Sequence, residues 1–217
     1  MRHLFGKCYE PQIEPRKVLC AVLLAIVLAG LGYSTRADEN SVVETCKMLA
    51  VAQKEYHSTP GLGDGIAFAQ RFISDKDHDG LFSLGPDEDK SPIGFSLALA
   101  GIDSPPASGS PAPAPYDGYF FRILTAQGKN APGGAKNYIS DGKLVLGFAF
   151  LAYPSQYPSS GVMTFIINQD GVVYRKDLGP ETGNLAQRIT VYDPDSSWQR
   201  AEPDPILPCA CRTKGAY

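Results

Sequence analysis

The segment Asp75-Lys-Asp77-His-Asp79-Gly80 carries the most pointed chemistry in the chain. Carboxylates at alternate positions followed by glycine match the first half of a calcium loop. There, oxygens at positions 1, 3 and 5 face a hard cation and a glycine at position 6 lets the backbone turn around it. The bidentate glutamate that closes such a loop at position 12 is replaced by Pro86, with Asp87 and Glu88 just beyond. The expectation is a metal site on Asp75, Asp77 and Asp79, set against the alternative of a solvated acidic turn. Calcium is the one cofactor these residues suggest.

Other chemistry is less complete. Gly94-Phe-Ser96-Leu-Ala98 begins like a nucleophile elbow but lacks its final glycine and a preceding strand. After residue 37 the imidazoles are His57 and His78, both expected at the surface. Gly61-Leu-Gly63-Asp-Gly65 follows a helical pattern, not a strand, so it is no dinucleotide fingerprint. The glycines from Gly128 to Gly134 lack the Lys-Ser/Thr pair of a phosphate loop. Asp117, Asp170 and Asp177 each fall at an expected strand end, and two acids about 5–10 Å apart in one cleft would suit a hydrolase. Tyr153-Pro-Ser-Gln-Tyr157-Pro reads as a proline-framed loop whose exposed rings suit carbohydrate or protein contacts. No catalytic residue is assigned.

Cys8 and Cys20 lie in the leading segment, which leaves Cys46, Cys209 and Cys211. In an oxidising compartment the expectation is one disulfide, Cys46 with Cys209 or with Cys211, and one remaining thiol.

Positioning such residues requires regular elements. Ser41-x-x-Glu44 fits a capping box, and Val42, Val43, Cys46, Leu49, Ala50 and Tyr56 recur at three- and four-residue steps. This predicts an amphipathic helix over about 41–57, stopped by Ser58-Thr59-Pro60-Gly61. A second helix over about 64–74 would use Ile66, Ala69, Phe72 and Ile73; a loop then runs to Pro92, and residues 94–100 form a short buried helix. Ser104–Pro115, with its repeated prolines, reads as an extended, exposed linker.

Past the linker the pattern turns to strands. Tyr119–Thr125 is β-rich with Tyr119, Phe121 and Ile123 on one face. Asp141-Gly142 predicts a hairpin turn between arms 136–140 and 143–153, and Gln169-Asp170-Gly171 another between 162–168 and 172–177. A helix over about 181–191 would present Leu185 and Ile189. The order predicts an α+β fold: N-terminal amphipathic helices packed on a mainly antiparallel meander, with a short C-terminal helix.

The chain has 217 residues, 20 Lys+Arg against 23 Asp+Glu, and 43% hydrophobic residues. That excludes wholly disordered and polytopic membrane chains and leaves no basic footprint, so nucleic acid is not an expected partner. The first 17 residues carry a net charge of +2 and lead into an uncharged run of 14, Val18–Leu31. As a helix this run rises about 21 Å, short of the ~30 Å hydrocarbon core. With Thr35-Arg36-Ala37 following, residues 1–37 read as an export signal cleaved near Ala37. The alternative is an uncleaved N-terminal membrane anchor. The domain reading is 1–37 leader, 38–198 one α+β domain, and 199–217 a Pro- and Cys-containing tail.

Several blocks together carry a resemblance. They include Glu44-Thr-Cys46, Ala52-Gln-Lys-Glu-Tyr56, Ala69-Gln-Arg-Phe72, Tyr116–Gly128, Gly161–Gly179 and Asp193-Pro-Asp-Ser-Ser-Trp198. Over about residues 40–198 the chain resembles the bacterial domain of unknown function 2950 family. The resemblance implies an exported bacterial protein and brings no activity with it. It also implies a departure at the front, where members commonly carry an additional domain before the first helix. A helix followed by an antiparallel sheet is similar in architecture to pilin-type subunits. The functional expectation is a non-catalytic binding or assembly module of the periplasm or cell envelope, with envelope protein or carbohydrate as partner and membrane contact only through an uncleaved leader. The alternatives are a carboxylate-based hydrolase and a calcium-stabilised, pilin-like structural subunit.

Overall fold

Val42, Val43, Cys46, Leu49, Ala50, Gln53 and Tyr56 form one buried stripe along helix α1, Glu39–Ser58. The computed structural model describes residues 38–74, 79–84, 88–102 and 112–201. Helix α1 starts two residues before the expected position, because Asp38 is the cap and its carboxylate accepts from the Asn40 N–H at 3.1 Å. Glu44 is freed from a capping box and pairs with Lys47 at 3.1 Å. The helix ends where Thr59 N–H reaches the Glu55 carbonyl and Pro60 follows.

The remaining elements follow in order. Strands β1 (Arg71–Ile73) and β2 (Gly80–Phe82) precede the four-residue helix α2 (Phe95–Ala98). Then come β3 (Tyr119–Leu124), β4 (Ala126–Gln127), β5 (Lys136–Asn137), β6 (Ile139–Ser140) and β7 (Lys143–Leu144). The chain continues through β8 (Ala149–Pro154), β9 (Met163–Asn168), β10 (Tyr174–Asp177), helix α3 (Thr182–Arg188) and β11 (Gln199–Arg200).

The main sheet is five-stranded and antiparallel throughout, in the order β11-β10-β9-β8-β3. The fold is α+β. Because side chains alternate across a strand, the register sorts the sheet into two faces. Phe121, Ala152, Phe165 and Arg175 form one cross-strand row, and Arg122, Leu151, Ile166 and Tyr174 form the next. The first row faces α1, which packs on β8 and β9 and whose Glu39 approaches Arg175 at 3.9 Å. Helix α3 packs on β8, and Arg122 donates to the Gln187 and Ile189 carbonyls at its C-terminal end, which places it over the second row. All six residues of β8 are therefore buried.

The expected placement of Tyr119, Phe121 and Ile123 on one face agrees with their register, and the turn after Asn168 joins β9 to β10 as expected. Four expectations are corrected. Residues 64–70 are not helical, and 71–73 form β1, which pairs in parallel with β2 inside the segment read as loop. The reason is that the buried Gln53 amide bonds both the Ala69 N–H and the Ala69 carbonyl at 2.8 Å, taking the backbone groups a helix would use. The Asp141-Gly142 turn, with φ of 51° and 76°, joins only the two-residue strands β6 and β7. The long arm expected to follow it, β8, pairs with β3 and β9 instead. In α3 the buried residues are Thr182 and Ala186, while Leu185 is 37% exposed. The segment read as a tail from 199 begins with β11, which closes the sheet edge against β10. Of the proline-rich stretch, residues 112–115 are described and exposed.

Candidate functional site

Asp79 sits just before β2 and accepts from Arg71 Nε at 2.8 Å. Asp75, Asp77 and His78 lie outside the described residues. Among the described residues no group of three or more His, Cys, Asp or Glu is placed to hold a metal ion. Cys46 is a fully buried free thiol whose burial pushes its pKa up to about 12. Cys209 and Cys211 lie outside the described residues.

The tyrosine loop differs from its expectation. Tyr153 is not on a loop: β8 runs on to Pro154, which pairs with Tyr119, and this buries Tyr153 against Phe120 with ring centroids 6.0 Å apart. Tyr157 is half-buried, and its hydroxyl lies 3.5 Å from Asp177 Oδ2. His57, expected at the surface, stacks on Phe68 at 4.6 Å and has a buried Nδ1 without a hydrogen-bond partner.

The strand-end carboxylates do not converge. Asp117 precedes β3 and accepts from the Ser41 hydroxyl at 3.3 Å; Asp177 ends β10 at the same end of the sheet and accepts from Gly179 N–H at 2.7 Å. Two strands, β8 and β9, separate β3 from β10, which at ~4.8 Å per strand puts those elements about 14 Å apart. Asp170 stands in the turn at the opposite end, held by Asn168 Nδ2 at 3.0 Å. The pair required by carboxylate hydrolysis is not formed by these residues.

Two concavities are built instead. The first is a cleft of about 670 Å³ between the C-terminal end of α1, the loop 61–70 and the β6–β7 turn. Asp64 organises it: Oδ1 accepts from the Ile66 and Ala67 N–H groups at 2.9 and 2.8 Å, and Oδ2 accepts from Lys143 Nζ at 2.6 Å. The Lys143 bond and these backbone bonds hold the Asp64 carboxyl well below the usual carboxylate range. Gly63 closes the loop over Tyr56, where a Cβ would fall 2.7 Å from the ring. Burial, reinforced by the Asp79 and Asp64 charges, pushes the Tyr56 phenol up to about 12, so it remains a donor. Gln70 and Asp141 complete the polar lining with side chains that make no hydrogen bond among the described residues.

The second concavity, about 500 Å³, lies on the α3 side of the sheet. Its apolar lining includes Ile166, Leu178, Leu185, Ile189, Val191 and Trp198. Lys176 Nζ donates to Ser197 Oγ at 2.8 Å and sits 5.9 Å from the Trp198 ring centroid. Asp177 is engaged as above, and Asp193 accepts from Asn130 N–H and Nδ2 at 2.8 and 3.0 Å. The Arg188 side chain makes no hydrogen bond or ion pair among the described residues.

A family model described as "Protein of unknown function (DUF2950)" matches residues 35–201. The chain belongs to the DUF2950 family. No curated protein and no solved structure matches the chain. The DUF2950 match spans every strand of the sheet and the lining of both concavities. Among the described residues of this DUF2950 member, no helix is long and apolar enough to cross a membrane.

Sequence reasoning missed Asp64, Gln70 and Lys143, and it missed the groove around Arg188 and Trp198. The nearest signals were the glycine-bracketed Asp64 and the Lys143 directly after the Asp-Gly turn. Both segments read as ordinary turns until the fold brings them within 2.6 Å across 79 positions of chain.

Proposed function

We propose that this DUF2950 member is a non-catalytic binding module acting outside the cytoplasm, and that the groove beside α3 takes an amphipathic anion. The supporting observation is the pairing of an apolar floor with an uncommitted guanidinium. Leu185 and Val191 each remain 37% exposed although they border one hollow, a placement that a ligand with an apolar body would complete. The two carboxylates in the lining are occupied by local donors, so the charge still available at the rim is that of Arg188, with Lys176 beside it. A carboxylate on an aliphatic chain matches both halves.

Titration calorimetry with dodecanoate below its micellar concentration tests this reading. Dodecanoate is expected to bind, dodecyltrimethylammonium to bind much more weakly, and Arg188→Glu to lower dodecanoate affinity by about tenfold, the loss of one charge-assisted contact of ~1.5 kcal/mol. Equal affinity for both detergents, or no binding, overturns it.

Action outside the cytoplasm rests on the basic start, short apolar run and Thr35-Arg36-Ala37 of the leader. Mass spectrometry of the protein recovered from its source cell is expected to find a mature N-terminus close to Asp38. A chain retaining residues before Ser34 replaces the cleaved signal with an anchor.

A further inference from the structure

We infer that the cleft between α1 and the β6–β7 turn is a second binding site, separate from the apolar groove, and that it takes a neutral oligosaccharide. The electrostatics of the cleft exclude most other ligand classes. Its acidic residues do not form an open anionic cluster: Asp64 is paired with Lys143 at 2.6 Å and Asp79 with Arg71 at 2.8 Å. A multivalent cation would have to displace a lysine or an arginine, and an anion would meet Asp64, Asp79 and Asp141 together.

The cleft keeps an uncommitted set of donors and acceptors. Lys143 has three N–H donors, of which Asp64 takes one; the Gln70 amide offers two donors and an acceptor; Asp141 offers two acceptor oxygens. Interleaved donors and acceptors are what adjacent sugar hydroxyls require, because each hydroxyl both donates and accepts. Leu62, Ala67 and Phe68 supply an apolar wall for the C–H face of a ring.

Shape adds the length of the ligand. A second hollow of about 560 Å³, lined by His57, Ser58, Thr59 and Pro60, shares Gly61, Gly63 and Asp64 with the cleft. The two hollows border the same loop, so a ligand seated beside Lys143 and extending toward the end of α1 would need more than one sugar ring. Two of the three lining carboxylates, Asp64 and Asp79, are held by Lys143 and Arg71, so the cleft is read as a site for binding and not for glycoside cleavage, which needs a pair of acids acting on the bond.

The test is amide NMR titration of the full chain with three neutral tetrasaccharides: β-1,4-glucose, α-1,4-glucose and β-1,4-N-acetylglucosamine. At least one is expected to bind and to shift the amides of Gly63, Gly142 and Lys143, leaving those of Leu185 and Arg188 unmoved. Gln70→Ala removes a side chain that makes no hydrogen bond among the described residues. It is expected to weaken that tetrasaccharide about tenfold at most and about twofold at least, the range of one hydrogen bond, with an unchanged melting curve. Absence of binding by all three overturns the inference, as does unchanged affinity in Gln70→Ala, stronger binding of a glucosamine tetramer, or shifts confined to the groove. The groove reading stands or falls separately on dodecanoate.

Discussion

A glutamine side chain carries one acceptor and two donors, and burying it is costly unless those groups find partners. Gln53 is fully buried and solves this by bonding the Ala69 N–H and carbonyl at 2.8 Å each, standing in for a strand that is not there. Gln53→Leu keeps the bulk and removes the amide, leaving two backbone groups of Ala69 buried without partners. The expected loss is about 2–4 kcal/mol in urea unfolding, at ~1–3 kcal/mol per orphaned group with partial relaxation. Loss below ~0.5 kcal/mol would mean that water or another donor replaces the amide. Asp64 and Lys143 illustrate a different outcome at the same scale. Their bond is exposed, so its value lies in shaping the loop and cleft more than in stability.

Strand β8 is the element on which the others converge. It pairs with β3 and β9, carries α1 on one face and α3 on the other, and leaves none of its six residues exposed. A chain of rings links its core side to the loops: Phe68 to Phe148 at 4.9 Å, Phe148 to Phe150 at 6.0 Å, and Phe150 to Phe72 of β1 at 5.8 Å. Edge-to-face pairs of this kind add to the area each ring buries. Phe150→Ala should therefore cost about 3–5 kcal/mol, read as a melting temperature lowered by about 6–20 °C. Phe150→Leu should recover more than half of the loss. A fall of only a degree or two would place the centre of the core elsewhere.

At the scale of the molecule, several buried acids of high pKa tie stability to alkaline pH. Burial pushes Cys46 from 9.0 to about 12, Tyr56 and Tyr138 from 10.0 to about 12, and Tyr192 higher still. Each keeps its proton longer in the folded chain than in the unfolded one. Their contribution is thus complete below the unfolded pKa and is lost as pH rises through the folded value. Thermal melts should hold steady up to about pH 9 and fall progressively between pH 9 and 12. Ionisation of Tyr56, Tyr138 and Tyr192, followed through their own ring NMR signals, should accompany unfolding and not precede it, and a melting temperature unchanged at pH 11 would contradict this. The legible parts of the molecule were those set by local spacing. The stripe from Val42 to Tyr56 specified α1 and alternation specified β3, because a single element's periodicity records which face it buries, while Gln169-Asp170-Gly171 specified the β9–β10 hairpin and Asp141-Gly142 the β6–β7 turn. The family was legible as well, in blocks that run along the chain. What the sequence left undecided was non-local: that Gln53 would make β1 a strand's neighbour and not a helix's continuation, that β8 would leave the hairpin to lie between β3 and β9, and that Tyr153 would go inside. The two concavities belong to this second class, since Asp64 meets Lys143, and Ile166 meets Arg188 and Trp198, only after folding has joined segments far apart in the chain, and no spacing in sequence encodes a distance closed by packing.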